Sequence, residues 1–109
     1  MNGRTPTAVE REWLAKVLQV PCVVCSEFHG VLDSPAEIHH TNGQTKPDAH
    51  LKTLSLCSNH HRISDTRHPK RWISRHGDGR RIFESRYIPE KALLEIQADK
   101  IKKLEENIV

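Results

Sequence analysis

The feature that most constrains this chain is a pair of two-residue gaps, Cys22-x-x-Cys25 and Cys57-x-x-His60, with 31 residues between them. A two-residue gap lets two side chains reach one tetrahedral ion from a tight turn or a helix start, and four such ligands make a closed structural zinc site. Buried free thiols or a redox pair are alternatives, but a redox pair needs a strand–helix–strand context that is missing here. His61 is an alternative fourth ligand, although His60 keeps the two-residue gap. The sequence therefore predicts Zn²⁺ as a structural cofactor.

The size and composition of the chain favour such a metal staple. With 109 residues, of which 36% are hydrophobic, the chain can build only a thin core. Zinc binding contributes about 10–16 kcal/mol of folding free energy to a small domain. The three cysteines are an odd number, and the sequence shows neither a signal peptide nor an apolar run long enough for a membrane span. We therefore expect a cytoplasmic protein without a membrane partner.

Apolar spacing and turn residues predict a mixed α+β fold. Thr7 and Glu10 fit a capping box at the start of a helix that Pro21 ends. A knuckle at 20–25 and a loop at 26–35 follow. Two short strands are predicted next, at 36–40, closed by the Asn42-Gly43 turn, and at 51–56. A helix is predicted from Cys57 to about Thr66, and a short helix that begins at Pro69, includes Trp72 and Ile73, and ends before Gly77. One or two turns around Ile82, Phe83 and Tyr87 and a long helix that begins at Pro89 and Glu90 complete the chain.

The last predicted helix has a narrow apolar stripe. Its members fall at alternating spacings of three and four residues and are Leu94, Gln97, Ile101, Leu104 and Ile108. Docking on the core is the default for such a stripe, and pairing with a second copy is the alternative. The protein is accordingly expected to be a monomer, or a dimer through this C-terminal helix. The predicted segments are an N-terminal helix packed on the core (1–20), a core with the zinc site (21–88) and the C-terminal helix (89–109).

Positive charge is concentrated in one segment. The whole chain carries a net charge of +3, whereas residues 62–91 hold nine Lys or Arg against four Asp or Glu, a local net charge of +5. Such a segment suits the phosphate backbone of a nucleic acid, and a solvated basic face is the alternative.

Eight histidines are an unusual number for so small a domain. His39 and His40 lie on the first predicted strand, where neighbouring side chains point to opposite faces. His60 and His61 lie on the predicted helix, where adjacent side chains point about 100° apart. His60 can therefore face the zinc while His61 faces a second site. The two pairs predict one further metal ion between strand and helix, although a half-buried strand pair and a helix cap would explain them separately.

These motifs resemble those of a known family. Cys22-x-x-Cys25, Glu37-Ile-His-His40 and Leu56-Cys-Ser-Asn-His-His61 look like the knuckle, strand and helix start of the zinc-bound HNH endonucleases. The stretch from about Trp13 to Leu94 is similar to the phage recombination-enhancement, RecA-dependent nucleases (the Ref family), with further matches at His50, Arg75-His76-Gly77-Asp78, Tyr87 and Leu93-Leu94. The resemblance implies a small zinc-stapled ββα-metal domain, treble-clef-like and of HNH type, with flanking helices.

The resemblance also implies the roles of individual histidines. His40 corresponds to the general base that deprotonates the attacking water, and His39 and His61 correspond to ligands of a catalytic ion. His76 corresponds to a later histidine of the family and would be a third ligand, although it would equally suit the C-terminal end of a helix. Asp65 lies on the same helix face as His61 and is expected to be a surface acid rather than a ligand.

The residue that orients the base is less directly implied. Lys52 occupies the position of the family's usual asparagine, so His50, or Asn42 on the turn, would take that role. The two other histidines, His29 and His68, are expected at the surface.

The implied activity is hydrolysis of phosphodiester bonds in DNA with a catalytic Mg²⁺ or Mn²⁺, with a RecA filament as a further partner. The arginines expected to hold the DNA backbone are Arg62, Arg71, Arg75, Arg80 and Arg81. Backbone contacts of this kind imply weak sequence preference and strong salt dependence. The alternative function is a non-catalytic zinc-knuckle protein that binds nucleic acid, which would leave His39, His40 and His61 without a task.

Overall fold

The computed structural model of the protein describes residues 5–41, 43, 48–65 and 72–106. In chain order the elements are helix α1 (Ala8–Leu18), a π-helical turn (Cys25–His29), strand β1 (Glu37–His40), a 3-10 turn (Ala49–Leu51), strand β2 (Thr53–Leu56), helix α2 (Ser58–His61), helix α3 (Arg80–Arg86) and helix α4 (Glu90–Glu106). The predicted α+β class is confirmed. Some residues named in the sequence predictions lie outside the described residues: Asn42, Thr66, His68, Pro69, Arg71 and Ile108.

Helix α1 begins with the predicted capping box. The Glu10 N–H donates to Thr7 Oγ1 at 3.2 Å, and the Thr7 N–H donates to Glu10 Oε1 at 2.8 Å. These bonds satisfy two of the amide groups that a helix start leaves unpaired. Gln19 caps the other end, two residues before Pro21.

Strands β1 and β2 form an antiparallel pair in which Glu37 lies opposite Leu56 and His40 lies opposite Thr53. All four residues of β2 are buried, whereas His39 is the buried residue of β1. The prediction that β2 begins at Leu51 was wrong. Leu51 is 46% exposed and belongs to the 3-10 turn, because the Asp48 carbonyl accepts the N–H groups of Leu51 and Lys52 and closes that turn.

The outer edge of β2 is closed by a side chain of α4. The Ser55 N–H donates to Gln97 Oε1 at 2.7 Å, and Gln97 Nε2 donates to the Thr53 carbonyl at 2.7 Å. Both backbone groups are buried away from β1, where an unpaired group would cost free energy. The side-chain amide of Gln97 therefore pairs the outer backbone groups of β2, as a third strand would otherwise do.

Helix α4 packs on the domain through one face, whose buried residues are Glu90, Leu93, Gln97 and Ile101. The predicted stripe is correct at Gln97 and Ile101, but Leu94 is only half-buried and Leu104 is 40% exposed. Ile101 packs with Val17 and Val20 from the end of α1, while Leu93 joins the main core. Because the buried face of α4 covers its own domain, nothing in the described residues supports the dimer alternative.

The segment after Cys57 is less helical than predicted. Helix α2 is a single turn, closed where the Ile63 and Arg62 N–H groups both donate to the Ser58 carbonyl. Trp72 then forms a short antiparallel bridge with Asp65, through N–H to carbonyl bonds of 3.1 and 3.0 Å. The prediction of a helix around Trp72 was therefore wrong, since its backbone is paired in an extended bridge. The predicted turns near Phe83 are confirmed as α3.

Across the described residues, no helix has both the length and the apolar composition that crossing a bilayer requires.

We predict that Gln97→Leu destabilises the protein by about 2–4 kcal/mol, because two buried backbone groups of β2 lose their partner and each costs about 1–3 kcal/mol when unsatisfied. Urea unfolding of the zinc-loaded protein measures this loss. Glu95→Leu, an exposed position on the same helix, is the control and should change stability by less than about 0.5 kcal/mol. Equal effects of the two substitutions would contradict the role given to Gln97.

Candidate functional site

The two Cys/His pairs meet in one buried cluster. Cys22 and Cys25 lie on the turn after α1, Cys57 precedes α2, and His60 lies within α2. The His60 Nδ1 atom lies 3.5, 3.4 and 3.2 Å from the sulfur atoms of Cys22, Cys25 and Cys57, respectively. The Cys25 and Cys57 sulfurs lie 3.6 Å apart. The predicted four residues, with His60 rather than His61, thus converge on one point.

The geometry of the cluster fits a tetrahedral metal ion. Ligands at about 2.0–2.3 Å from a tetrahedral zinc lie roughly 3.4–3.8 Å from one another, close to the separations seen here. The Cys25 N–H also donates to Cys22 Sγ at 3.4 Å, which favours a thiolate on that sulfur. The buried cluster of three cysteines and His60 could therefore hold a metal such as zinc.

The thiols compete for one negative charge in this cluster. Hydrogen bonds from Cys22 and Cys25 lower the pKa of Cys57 far below its usual range. Contacts with Cys22 and Cys57, together with burial, raise the pKa of Cys25 far above its usual range. For Cys22, the hydrogen bond from Cys25 lowers the pKa, but Cys57 and burial outweigh it and raise that pKa to about 11. A divalent cation would remove the competition, because it stabilises all three thiolates at once.

Aromatic rings cover one side of the cysteine cluster. The ring of His29 stacks on His60 and on Trp72, with centroids 5.0 and 4.6 Å apart, and its Nε2 atom lies 3.2 Å from the Tyr87 hydroxyl. The prediction that His29 is a surface residue was therefore wrong, because stacking and a hydrogen bond keep it half-buried. The Tyr87 hydroxyl also accepts the Ile73 N–H at 3.2 Å, which ties this loop to α3.

A second cluster is made of three imidazoles, those of His39, His61 and His76. Their ring centroids lie 4.9–5.2 Å apart, and one nitrogen of each falls within 4.8 Å of the others. His39 comes from β1 and His61 from α2, so strand and helix both contribute, as the sequence predicts. Three imidazoles that face one another are a donor set that suits a divalent transition metal ion.

His76 joins this cluster because its loop is fastened to α2. The Arg75 N–H donates to the His60 carbonyl at 2.8 Å, and the His76 N–H donates to the His61 carbonyl at 2.9 Å. His76 thus lies in a turn beside α2, not at the C-terminal end of a helix. Gly77 allows this turn to pack closely, since a Cβ atom there would clash with Ser74 Oγ.

Two carboxylates that the sequence analysis did not single out as functional lie behind the imidazoles. Glu90 Oε2 lies 2.6 Å from His39 Nε2, and both side chains are 1% exposed. Glu37 Oε1 lies 2.8 Å from His61 Nδ1. A sequence signal existed for Glu37, because the period of two in a strand puts it on the same face as His39. Glu90 carried no such signal, since it lies 51 residues from His39 along the chain.

Burial and the carboxylate contacts set the charge of this cluster. Burial lowers the pKa of His61 and of His76 below the ordinary histidine value. Burial alone would raise the pKa of Glu90, but its hydrogen bond with His39 and the Arg75 guanidinium bring that pKa below its usual range. The lowered pKa values of His61 and His76 favour the neutral imidazole, which is the form in which a histidine binds a metal ion.

His40 lies at the same cleft but outside the imidazole cluster. A cleft of about 310 Å³ is lined by His39, His40, His61, His76, Ile38, Gly43 and Arg62. His40 Nε2 lies 3.1 Å from Nδ1 of His50, which is buried in the 3-10 turn. Burial, His50 and His39 lower the pKa of His40 from its ordinary value of 6.5. Lys52, on the same turn, forms an ion pair with Asp48 at 3.0 Å.

The predicted DNA-binding arginines differ in their surroundings. Arg62 is exposed at the cleft and holds Glu37 through Nε and a terminal nitrogen, at 2.7 and 3.0 Å. Arg75 is only 18% exposed and contacts Glu90, and the exposed Arg80 reaches the same carboxylate oxygen at 3.3 Å. Arg81 is exposed, and Arg71 lies outside the described residues.

We predict that Cys57→Ser removes stoichiometric zinc from the purified protein and leaves the chain largely unfolded at 25 °C. The zinc-linked free energy of about 10–16 kcal/mol matches or exceeds the whole stability of a domain this small. Metal analysis and circular dichroism measure both effects. Ser58→Ala, at the exposed neighbouring position, should keep zinc and fold, and a folded zinc-free Cys57→Ser protein would contradict the assignment.

Comparison with known families places both clusters inside one match. A family model described as "Recombination enhancement, RecA-dependent nuclease" matches residues 6–102, which is nearly the whole chain. The match confirms the family resemblance that the cysteine and histidine motifs predict.

Proposed function

This chain belongs to the recombination-enhancement, RecA-dependent nuclease family, and on that premise we propose that it is a metal-dependent DNA endonuclease of the HNH (ββα-metal) type. One observation carries the proposal: His39, His61 and His76 converge beside His40 at a single cleft. Nucleic-acid binding without catalysis does not require three clustered imidazoles, those of His39, His61 and His76, beside the imidazole of His40.

The order of elements around the cleft supports the HNH type. β1 supplies His39 and His40, β2 pairs with β1, and α2 follows β2 directly and supplies His61. Two strands and a helix thus surround the imidazole cluster. The cluster of Cys22, Cys25, Cys57 and His60 would hold a structural Zn²⁺ that fastens the start of α2 to the turn after α1.

His40 is the general base of this proposal. In the arrangement we propose, the Nε2–H of His40 donates to His50 Nδ1, which leaves His40 Nδ1 free to take a proton from the attacking water. Its lowered pKa keeps the imidazole neutral near pH 7, the form that a base needs. His50 orients the base, the role that the sequence analysis assigned to either His50 or Asn42.

His39, His61 and His76 would hold the catalytic divalent ion, Mg²⁺ or Mn²⁺, whose chemistry is to polarise the scissile phosphate and to stabilise charge on the leaving oxygen. Glu90 and Glu37 fix the rings of His39 and His61 from behind. The side chains of the cleft thus provide a proton acceptor on one side and would hold a cation on the other.

The substrate of this proposal is DNA, held through its phosphates. Arg62 lines the cleft, and Arg80 and Arg81 are exposed at the start of α3. Arg75 is too enclosed for a main role in phosphate binding, because it contacts Glu90. The RecA dependence in the family description suggests that the substrate is DNA engaged by a RecA filament.

We predict that His40→Ala lowers the rate of Mn²⁺-dependent cleavage by about 10²–10⁴-fold, because a positioned general base contributes about that much. Nicking of supercoiled plasmid, with and without RecA filaments, measures the rate. Zinc content and thermal stability should stay as in the wild type.

The control for this variant is Lys102→Ala, an exposed position on α4, which should cleave at the wild-type rate. The wild-type protein could instead shift DNA in a gel but cut none with Mg²⁺ or Mn²⁺, whether or not RecA is present. That result would contradict the nuclease proposal and favour the non-catalytic zinc-knuckle protein.

We also predict the pH dependence of cleavage. The base acts when it is neutral, and the pKa of His40 is lowered from 6.5, so activity should persist at pH 6.5 and fall only below it. The acid limb of kcat/KM against pH, measured at saturating Mn²⁺, should have its midpoint below 6.5. In His50→Ala the midpoint should move up, since His50 is one of the groups that lower the pKa of His40; an unchanged midpoint would argue against this pairing.

A further inference from the structure

The carboxylate of Glu90 is the most enclosed acidic group next to the imidazole cluster. It is 1% exposed, and both of its oxygen atoms are engaged. Oε2 lies 2.6 Å from His39 Nε2, while Oε1 contacts Nε of Arg75 at 3.1 Å and Nε of Arg80 at 3.3 Å. The position of Glu90 at the start of α4 does not by itself require the contacts of its carboxylate with His39, Arg75 and Arg80.

The contact with Glu90 fixes which nitrogen of His39 carries the hydrogen. An ionised carboxylate accepts hydrogen bonds only, so the short contact requires the hydrogen on Nε2. The lone pair is then on Nδ1, which is buried and has no hydrogen-bond partner among the described residues. A buried nitrogen with a lone pair and no partner, on a ring that neighbours the imidazoles of His61 and His76, is in the state that a metal ligand requires.

From these contacts we propose that Glu90 is a positioning residue of the nuclease site: it holds His39 in the Nε2–H tautomer, with Nδ1 presented to the divalent ion. The inference rests on the proposed function, because it assigns His39 to the metal site of that reaction. Arg75 and Arg80 contact the other oxygen of Glu90 and hold its carboxylate in place. Residues from α4 (Glu90), α3 (Arg80) and the His76 loop (Arg75) therefore all contribute to the orientation of His39.

The second carboxylate–histidine pair shows why Glu90 should matter more than its counterpart. Glu37 contacts His61 in the same way, but its side chain is 37% exposed and is shared with Arg62. Water can reach Glu37 and take its place as an acceptor, whereas the Glu90 side chain, at 1% exposure, is closed to water. The effect of removing the charge should therefore be larger at Glu90.

The tautomer can be read from the wild-type protein without any substitution. Imidazole ¹⁵N chemical shifts of the zinc-loaded protein, recorded before a second metal is added, report which nitrogen of His39 carries hydrogen. We expect hydrogen on Nε2. Hydrogen on Nδ1, with Nε2 bare, would overturn the inference.

The functional test is Mn²⁺ binding to the zinc-loaded protein in the absence of DNA, measured by titration calorimetry for the wild type and for Glu90→Gln. Because partners behind a metal-binding histidine typically contribute about 10–100-fold in affinity, we expect Glu90→Gln to bind Mn²⁺ about 10–100-fold more weakly. Cleavage by this variant should recover as Mn²⁺ is raised, so the metal requirement changes more than kcat, an outcome that mere loss of stability would not produce.

Glu84→Gln is the matched control. Glu84 accepts the Glu90 N–H at 2.7 Å and contacts Arg80, yet it is not a partner of His39, so it shares the structural surroundings of Glu90 without its proposed role. This variant should bind Mn²⁺ as the wild type does. If Glu84→Gln weakened Mn²⁺ binding as much as Glu90→Gln does, the role of Glu90 would be only structural and the inference would be overturned.

The two proposals can fail separately. If Glu90→Gln binds Mn²⁺ with wild-type affinity while wild-type protein cleaves DNA and His40→Ala does not, the role of Glu90 falls and the nuclease stands. If Glu90→Gln weakens Mn²⁺ binding but the wild-type protein cuts no DNA under any condition, the nuclease falls and the positioning of a metal ligand by Glu90 stands.

Discussion

The convergence of three sulfur atoms and one imidazole nitrogen is the constraint on which the rest of the structure depends. It joins the turn after α1 to the start of α2, across a gap of 31 residues in the sequence. Once His60 points into that cluster, the geometry of the helix turns His61 about 100° away. The carbonyls of His60 and His61 then receive the loop that carries His76. The position of the second cluster is thus set by the first.

Much of this site follows from local rules that the sequence displays. The spacing of Cys22, Cys25, Cys57 and His60 predicts their cluster, because a two-residue gap limits where two side chains can point. The alternation of a strand separates His39 from His40, and the helical angle separates His60 from His61. Each of these rules involves residues close together in the chain, and for that reason each could be applied without a structure.

What the sequence did not predict depends on contacts between distant residues. Gln97 reaches backbone groups 42 and 44 residues away, and Glu90 reaches a histidine 51 residues away. These two polar contacts set the rotation of α4, so that Leu93 rather than Leu94 is fully buried. The stripe predicted from apolar spacing included Gln97 and Ile101 correctly, but it left out Glu90 and put Leu94 in the place of Leu93. His29 was misassigned for the same reason, since ring stacking with Trp72 leaves no periodic pattern.

The amide of Gln97 on β2 has a consequence for the behaviour of the protein in a crowded solution. The outer edges of a two-stranded sheet carry rows of backbone donors and acceptors, and an uncovered row is a template for strands of other molecules and a route to aggregation. With Gln97 bound to Thr53 and Ser55, an incoming strand finds that row already occupied. The side chain of Gln97 thus protects this edge of β2 from pairing with strands of other molecules. Partial detachment of α4 would expose the edge.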